Sequence, residues 1–239
     1  AEAEYAHMPD VVVKPRTAQE ISEIVKLANE KRIPVTPRGA GSGLSGGAMP
    51  IHGGIVLSVE RMNQILEIDT QNMMVVVEPG VVTNEINSRI KDLGLFFAGY
   101  PMSLETCYVA GNVAENAGGG KAVKYGVTER YIMGLEVVMP TGEIVMFGGK
   151  RMKDVSGYNM RMLMVGSEGT LGIITKVIIK LLPLPKAKVD FLALFPDVQT
   201  AIAVVPICNT GYSPSARTRC PRSTNWSMYP TIRFLSMPR

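Results

Sequence analysis

The residues with the clearest chemical potential lie in a glycine-rich loop, PRGAGSGLSGGA, at positions 37–48. Five of its twelve residues are glycine, so the backbone can adopt positive φ values and approach a ligand without side chains in between. Consecutive backbone N–H groups in such a loop form a nest that binds phosphate-like anions. Arg38, Ser42 and Ser45 add side-chain donors. The loop therefore predicts an anion site, and the alternative is a flexible surface loop without a ligand.

Two nucleotide-binding motifs have spacings close to that of the glycine-rich loop. Gly41, Gly43 and Gly46 match G-x-G-x-x-G, the dinucleotide fingerprint, which needs a preceding strand and a helix that starts inside the motif. The segment 49–54, MPIHGG, is a poor helix. No G-K-[S/T] follows, as a Walker A loop would require. The sequence therefore favours a phosphate nest without a helix dipole over a Rossmann dehydrogenase that uses NAD.

Three further glycine-containing segments follow, EPG at 78–80, GNVAENAGGG at 111–120 and GSEGTLGIIT at 166–175. Each alone is typical of an ordinary turn. The amides of Asn112 and Asn116 could bind a heteroaromatic ring edge or phosphates. Together with the glycine-rich loop, these segments indicate one long ligand that is contacted from two lobes.

In this order the four segments closely resemble the FAD-binding domain of the vanillyl-alcohol-oxidase (PCMH) type, from about Pro9 to Pro185. Within it they are most similar to glycolate oxidase subunits and FAD-linked D-lactate dehydrogenases. The resemblance implies an α+β fold with two small α/β subdomains and FAD between them. It implies a first lobe at 1–105 and a second at 106–185, with the cap domain absent. Residues 186–239 are expected to hold the start of a truncated cap domain and a tail unlike the family, which we interpret as a frameshifted continuation.

The resemblance also assigns cofactor-binding residues. Covalent relatives carry a histidine where Gly41, Ser42 and Gly43 stand here, so FAD is expected to be bound non-covalently. His52 is expected to be an exposed turn residue and Cys107 a small buried side chain. Neither a catalytic residue nor a metal ligand is assigned. The assigned residues are Arg38, Gly39, Ala40, Gly41, Ser42, Gly43, Leu44 and Ser45 in the loop; Glu78, Pro79 and Gly80 near the adenosine half; Pro101, Glu105, Thr106, Gly111, Asn112, Ala114, Asn116, Gly118, Gly119 and Gly126 along pyrophosphate and flavin; and Glu168, Gly169, Gly172 and Ile173 from the second lobe.

The function implied by the resemblance is FAD-linked oxidation of a small 2-hydroxy acid such as D-lactate or glycolate. A hydride would pass to flavin N5, and the electrons would go on to an acceptor such as an electron-transfer flavoprotein, a quinone or oxygen. Other subunits could complete the substrate site. The alternative is a non-catalytic flavin-binding subunit that relays electrons or assists assembly.

Composition excludes some other functions. The formal net charge is +4, but the last acidic residue is Asp197 and five arginines follow it. The rest of the chain is therefore close to neutral, which argues against a nucleic-acid-binding face. Three cysteines in 239 residues are too few for a disulfide framework and favour the cytoplasm. No segment has the length of a transmembrane helix or the pattern of a signal peptide, so any membrane association is expected to be peripheral.

The elements that must position these segments follow from hydrophobic spacing. Thr17 and Glu20 form a capping box before a helix whose apolar face carries Ile21, Ile24, Val25 and Ala28. Further on, Thr83 is expected to cap a helix that ends at Gly94. Strands are predicted at 11–13, 33–36, within 53–62 and 73–81, as a hairpin within 131–149 around PTGE, and before Pro183.

Overall fold

A computed structural model describes residues 7–186, 195 and 197–203 of the chain. The chain divides into two units, residues 1–183 and 184–239. In the second unit, residues 198–203 form a helical turn. Most of the predicted cap start and tail, residues 186–239, lies outside the described residues.

Ten strands and five helices are described in the first unit. A short 3-10 helix, Lys91–Leu93, follows α2, and another precedes β7. In chain order the elements are β1 (Val11–Val13), α1 (Ala18–Lys31), β2 (Val35–Arg38), β3 (Ile55–Ser58), β4 (Ile65–Asp69), β5 (Met74–Val77), α2 (Thr83–Ile90), β6 (Leu95–Phe96), α3 (Val109–Ala114), α4 (Ala122–Tyr125), β7 (Ile132–Val138), β8 (Ile144–Gly148), α5 (Met160–Met164), β9 (Ile173–Lys180) and β10 (Leu182–Pro183). The chain is thus mixed α and β, as predicted.

A three-stranded parallel sheet, ordered β1-β3-β2, packs against α1 and ends at the glycine-rich loop. The predicted capping box is confirmed in part, because the Glu20 N–H donates to Thr17 Oγ1 at 3.2 Å. The Glu20 carboxylate returns to the backbone N–H of Arg16, at 2.7 Å, and not to that of Thr17. β2 begins two residues later than predicted, since Pro34 has no N–H to donate to a sheet. The sheet delivers the chain to the loop at Arg38.

A five-stranded antiparallel sheet, ordered β4-β5-β9-β7-β8, forms the main core. The predicted hairpin is confirmed, with Val138 opposite Ile144. β5 and β9 pair through Val75 opposite Ile179. β4 and β5 therefore belong to this sheet, and the lobe boundary at residue 105 stays a prediction. The change from the first sheet to the second falls between Ser58 and Ile65. The sequence could not place this change, because a strand's local periodicity does not show which distant strand it pairs with.

Shortening one side chain in this core is expected to reduce stability by a defined amount. Ile179 is fully buried in β9, and we expect Ile179→Val to lower the free energy of unfolding by about 1 kcal/mol through one lost methylene group. Ile144→Val removes the same atoms from the edge strand β8, where the side chain is 40% exposed, and should cost less than about 0.5 kcal/mol. Urea unfolding of both variants measures the difference. Equal losses would contradict the assignment of Ile179 to the core.

Candidate functional site

The glycine-rich loop follows β2 and has the conformation that its composition predicts. Gly41 and Gly46 have φ values of 72° and 84°. No helix begins in residues 39–48 or in residues 49–54. The rejection of the Rossmann fingerprint is therefore confirmed. Among the described residues, none of the ten consecutive backbone N–H groups of 39–48 donates to another protein group. A row of free donors of this kind suits an anionic ligand.

One cation stands beside these donors. A Cβ added to Gly41 would lie 2.5 Å from Arg38 Nη2, so the guanidinium lies against that glycine. Within the described residues the Arg38 side chain has neither an ion pair nor a hydrogen bond. Its charge is therefore available to a ligand of the loop, and a guanidinium suits phosphate geometry.

Helix α3 and the residue that follows it approach the same loop. A Cβ added to Gly39 would lie 3.6 Å from the Gly111 backbone nitrogen, and Ser45 Oγ lies 3.2 Å from Glu115 Oε1. Gly111 itself has no atom within 4 Å of the place a Cβ would occupy. A glycine inside a helix costs stability relative to alanine. Because nothing would collide with a Cβ at position 111, packing within the protein does not explain why this residue is glycine.

The segment 166–169 completes this convergence. A Cβ on Gly169 would lie 3.4 Å from Pro37 Cγ, and one on Gly47 would lie 3.5 Å from Glu168 Oε2. The Glu168 N–H donates to the Ala114 carbonyl at 2.8 Å, which ties this segment to the end of α3. Three of the four predicted glycine segments therefore meet, although Pro37 and Gly169, which are in contact, lie 132 positions apart in the chain.

The two predicted amides are bonded within the protein. Asn112 is 4% exposed, and its Nδ2 donates to Thr83 Oγ1 at 2.6 Å. Asn116 exchanges hydrogen bonds with Glu129, from Nδ2 to Oε2 at 2.9 Å and from the Glu129 N–H to Oδ1 at 2.9 Å. Both side chains are thus bonded within the protein, and their assignment to the cofactor stays a prediction.

The contact between Thr83 and Asn112 also corrects the predicted start of α2. Thr83 is the first residue of that helix, whose N-cap is Val82 without a side-chain cap. The buried hydroxyl bonds to Asn112 and lies 3.3 Å from Cys107 Sγ, because an internal polar partner outweighs a helix cap. Cys107 is 4% exposed, so its prediction as a small buried side chain is confirmed.

The EPG segment lies beside a polar cleft of about 710 Å³. The Glu78 carboxylate accepts the Gln64 N–H at 2.8 Å, and the Pro79 carbonyl accepts the Ala110 N–H at 3.0 Å. Tyr108 connects cleft and loop, since its Cβ is 3.8 Å from a Cβ placed on Gly39. A hydrogen bond from Lys14 Nζ lowers the pKa of Glu60. The lining residues are Arg16, Glu60, Arg61, Asn63, Gln64, Glu78 and Tyr108.

The other predicted site residues have described contacts away from the loop. Gly119 packs against the backbone of Tyr100 and Pro101, and Gly126 packs against the Arg130 side chain. His52 is an exposed turn residue, as predicted. The remaining contacts are Glu105 Oε1 with Asn84 Nδ2, Thr106 Oγ1 with the Ser103 carbonyl, Gly118 with Val127, and Gly172 with Val137, while Ile173 is buried at the start of β9.

Sequence reasoning missed two residues of this region, Tyr108 and Glu115. Tyr108 directly precedes α3 and bridges the loop and the cleft, and Glu115 directly follows α3 and contacts Ser45. Glu115 stands inside the quoted segment GNVAENAGGG. Its position between two small-residue runs was the available signal.

Comparison with known proteins supports one reading of this geometry. Residues 9–148 match the family described as "FAD binding domain". Glycolate oxidase subunit GlcD of Bacillus subtilis is 46% identical over 205 residues, which are 86% of this chain and 44% of that protein. A D-lactate dehydrogenase of Anaerostipes hadrus is 44% identical over 198 residues, covering 83% of this chain and 42% of that protein. The chain thus spans less than half the length of these relatives.

Solved structures agree in fold. A structure described as alkyldihydroxyacetonephosphate synthase superposes with a TM-score of 0.67 at 28% identity, covering 77% of this chain and 34% of that one. Among the residues described here, no helix is long and apolar enough to cross a membrane.

Proposed function

This chain belongs to the family of FAD binding domains, and we propose that it is the FAD-binding portion of an oxidoreductase that acts on a small 2-hydroxy acid such as D-lactate or glycolate. FAD is the cofactor of the family. The substrate class is supported by the names of the relatives. One structural observation carries the proposal, namely that ten consecutive backbone N–H groups, none of which has a protein partner among the described residues, converge with Arg38 and two other glycine segments.

The residues present fit FAD. Its pyrophosphate carries two negative charges, and the loop offers a row of N–H donors with one guanidinium beside them. The open space over Gly111 leaves room for a ligand to touch backbone. The polar cleft beside Glu78 has the volume for a nucleoside, and we propose that it takes the adenosine half.

The chain's own contribution is binding and orientation. Bound FAD supplies a ring that accepts two electrons from the oxidised carbon. In the proposal, residues 39–48 and Arg38 hold the pyrophosphate, while segments 111–119 and 166–173 border the flavin half and exclude water. Among the described residues, no group of histidine, cysteine and acidic side chains is arranged to hold a metal. The group that takes the substrate's hydroxyl proton is proposed to lie outside the described residues. The electron acceptor is proposed to be a separate flavoprotein or a quinone.

Replacement of one glycine separates stability from cofactor binding. Gly111→Ala adds a methyl group to α3 where nothing lies within 4 Å, so we expect the flavin-free chain to gain about 0.5 kcal/mol of stability. The same methyl group points into the proposed ligand space, and we expect FAD to bind about 10-fold more weakly, as one lost charge-assisted hydrogen bond would give. Thermal unfolding and FAD titration are the two measurements. If the variant is more stable and binds FAD normally, Gly111 does not contact the cofactor.

The activity is tested on the purified chain in three steps. Its visible spectrum should show flavin, and denaturation should release that flavin as FAD into the supernatant, since the binding is proposed to be non-covalent. Anaerobic addition of D-lactate or glycolate then tests whether the bound flavin is bleached, first with the chain alone and then with any subunit that completes the substrate site, and L-lactate is the control. Flavin that is bound but bleached by neither acid would favour the electron-relay subunit. A folded chain that takes up no FAD would contradict the proposal.

A further inference from the structure

A carboxylate of the protein itself lies against the glycine-rich loop. Ser45 Oγ is 3.2 Å from Glu115 Oε1, the one side-chain hydrogen bond described for residues 39–48. The same carboxylate lies over Gly43, where an added Cβ would collide with Oε1. Within the described part of the chain, no lysine or arginine forms an ion pair with Glu115. An unpaired negative charge therefore stands at a loop whose free donors suit an anion.

We propose that Glu115 is an internal competitor for the anion site, which holds Ser45 while the loop is free and weakens the binding of a pyrophosphate. This inference rests on the proposed function and concerns the affinity for FAD. A pyrophosphate on the loop would share Ser45 with the carboxylate or displace it, and in either case two like charges come close. In water, two unit charges 4 Å apart repel by an amount equal to about a five-fold change in affinity.

Two substitutions separate the charge of Glu115 from its hydrogen bond. Glu115→Gln keeps an oxygen that accepts from Ser45 but removes the negative charge, so we expect FAD to bind about 3- to 10-fold more tightly. Glu115→Ala removes both. If the hydrogen bond also orders the free loop, the alanine variant gains less affinity than the glutamine variant.

The measurement is a titration of flavin-free chain with FAD, followed by flavin fluorescence, and a second titration with ADP, which carries the diphosphate without the flavin. Glu85→Gln is the matched control, because it removes one exposed carboxylate in α2 that has no described side-chain partner. The advantage of Glu115→Gln should shrink toward one at 1 M salt, where the screening length falls to about 3 Å. A merely structural effect would not depend on salt in this way.

The outcomes distinguish this inference from the proposed function. Tighter binding of both ligands by Glu115→Gln at low salt, with Glu85→Gln unchanged, supports the competitor role. If the native chain binds FAD but Glu115→Gln binds it equally well or less well, the inference fails and the proposed function stands. If the native chain is folded by circular dichroism and binds neither FAD nor ADP, the proposed function fails and the inference fails with it.

Discussion

Gly41→Val is expected to yield a folded chain that binds FAD at least about 100-fold more weakly, because it disturbs two or more charge-assisted hydrogen bonds of the loop. Gly41 has a φ of 72°, a conformation that a β-branched residue avoids. The loop must therefore rotate and turn its N–H groups away from the ligand. The added Cβ would also lie 2.5 Å from Arg38 Nη2 and push the guanidinium aside.

Gly94→Val is the matched control for this experiment. Gly94 has a φ of 71°, and nothing lies within 4 Å of its Cβ position, so the control carries the same backbone strain without a collision. It should cost about 1–2 kcal/mol of stability and leave FAD affinity unchanged. The ratio of flavin to protein absorbance after purification and an FAD titration measure both effects. Equal loss of flavin in both variants would mean that destabilisation, and not the loop, is responsible.

The glycine-rich loop shows how much of the site the sequence could predict. Its five glycines and the missing helix after Gly46 are local features, and they correctly predicted a loop with positive φ values and free N–H groups. The same holds for Thr17 and Glu20 at the start of α1. Local sequence determines these features, because the residues involved lie within one short segment of the chain.

The remainder depends on contacts between distant residues. β5 joins the second sheet because Val75 and Val77 pair with Ile179 and Val177, and a run of valines reads the same in either sheet. Asn112 is predicted to bind the cofactor, and the sequence does not indicate that its Nδ2 bonds to Thr83, 29 residues earlier. A polar residue in a glycine-rich segment can face ligand or protein, and only the fold decides which.

Gly80 raises the same question, and its structure predicts a large loss of stability in Gly80→Ala. The sequence assigned Gly80 to the cofactor, but its N–H donates to the Met62 carbonyl at 2.8 Å. An added Cβ would collide with the Val59 carbonyl oxygen and lie 2.9 Å from that of Met62. Both are backbone atoms, which cannot rotate away as a side chain would. We expect the flavin-free chain to lose about 3 kcal/mol, near the top of the usual range for overpacking.

Gly120→Ala serves as the control for Gly80→Ala, since nothing lies within 4 Å of its Cβ position, and it should change stability by less than about 0.5 kcal/mol. Urea unfolding without FAD gives both values, and repeating it with saturating FAD tests the origin of the loss. If Gly80 acts through packing, the deficit relative to the native chain is the same with and without FAD, because both proteins gain equally from the ligand. A deficit that appears only with FAD would instead place Gly80 against the cofactor, as its position in the sequence predicted.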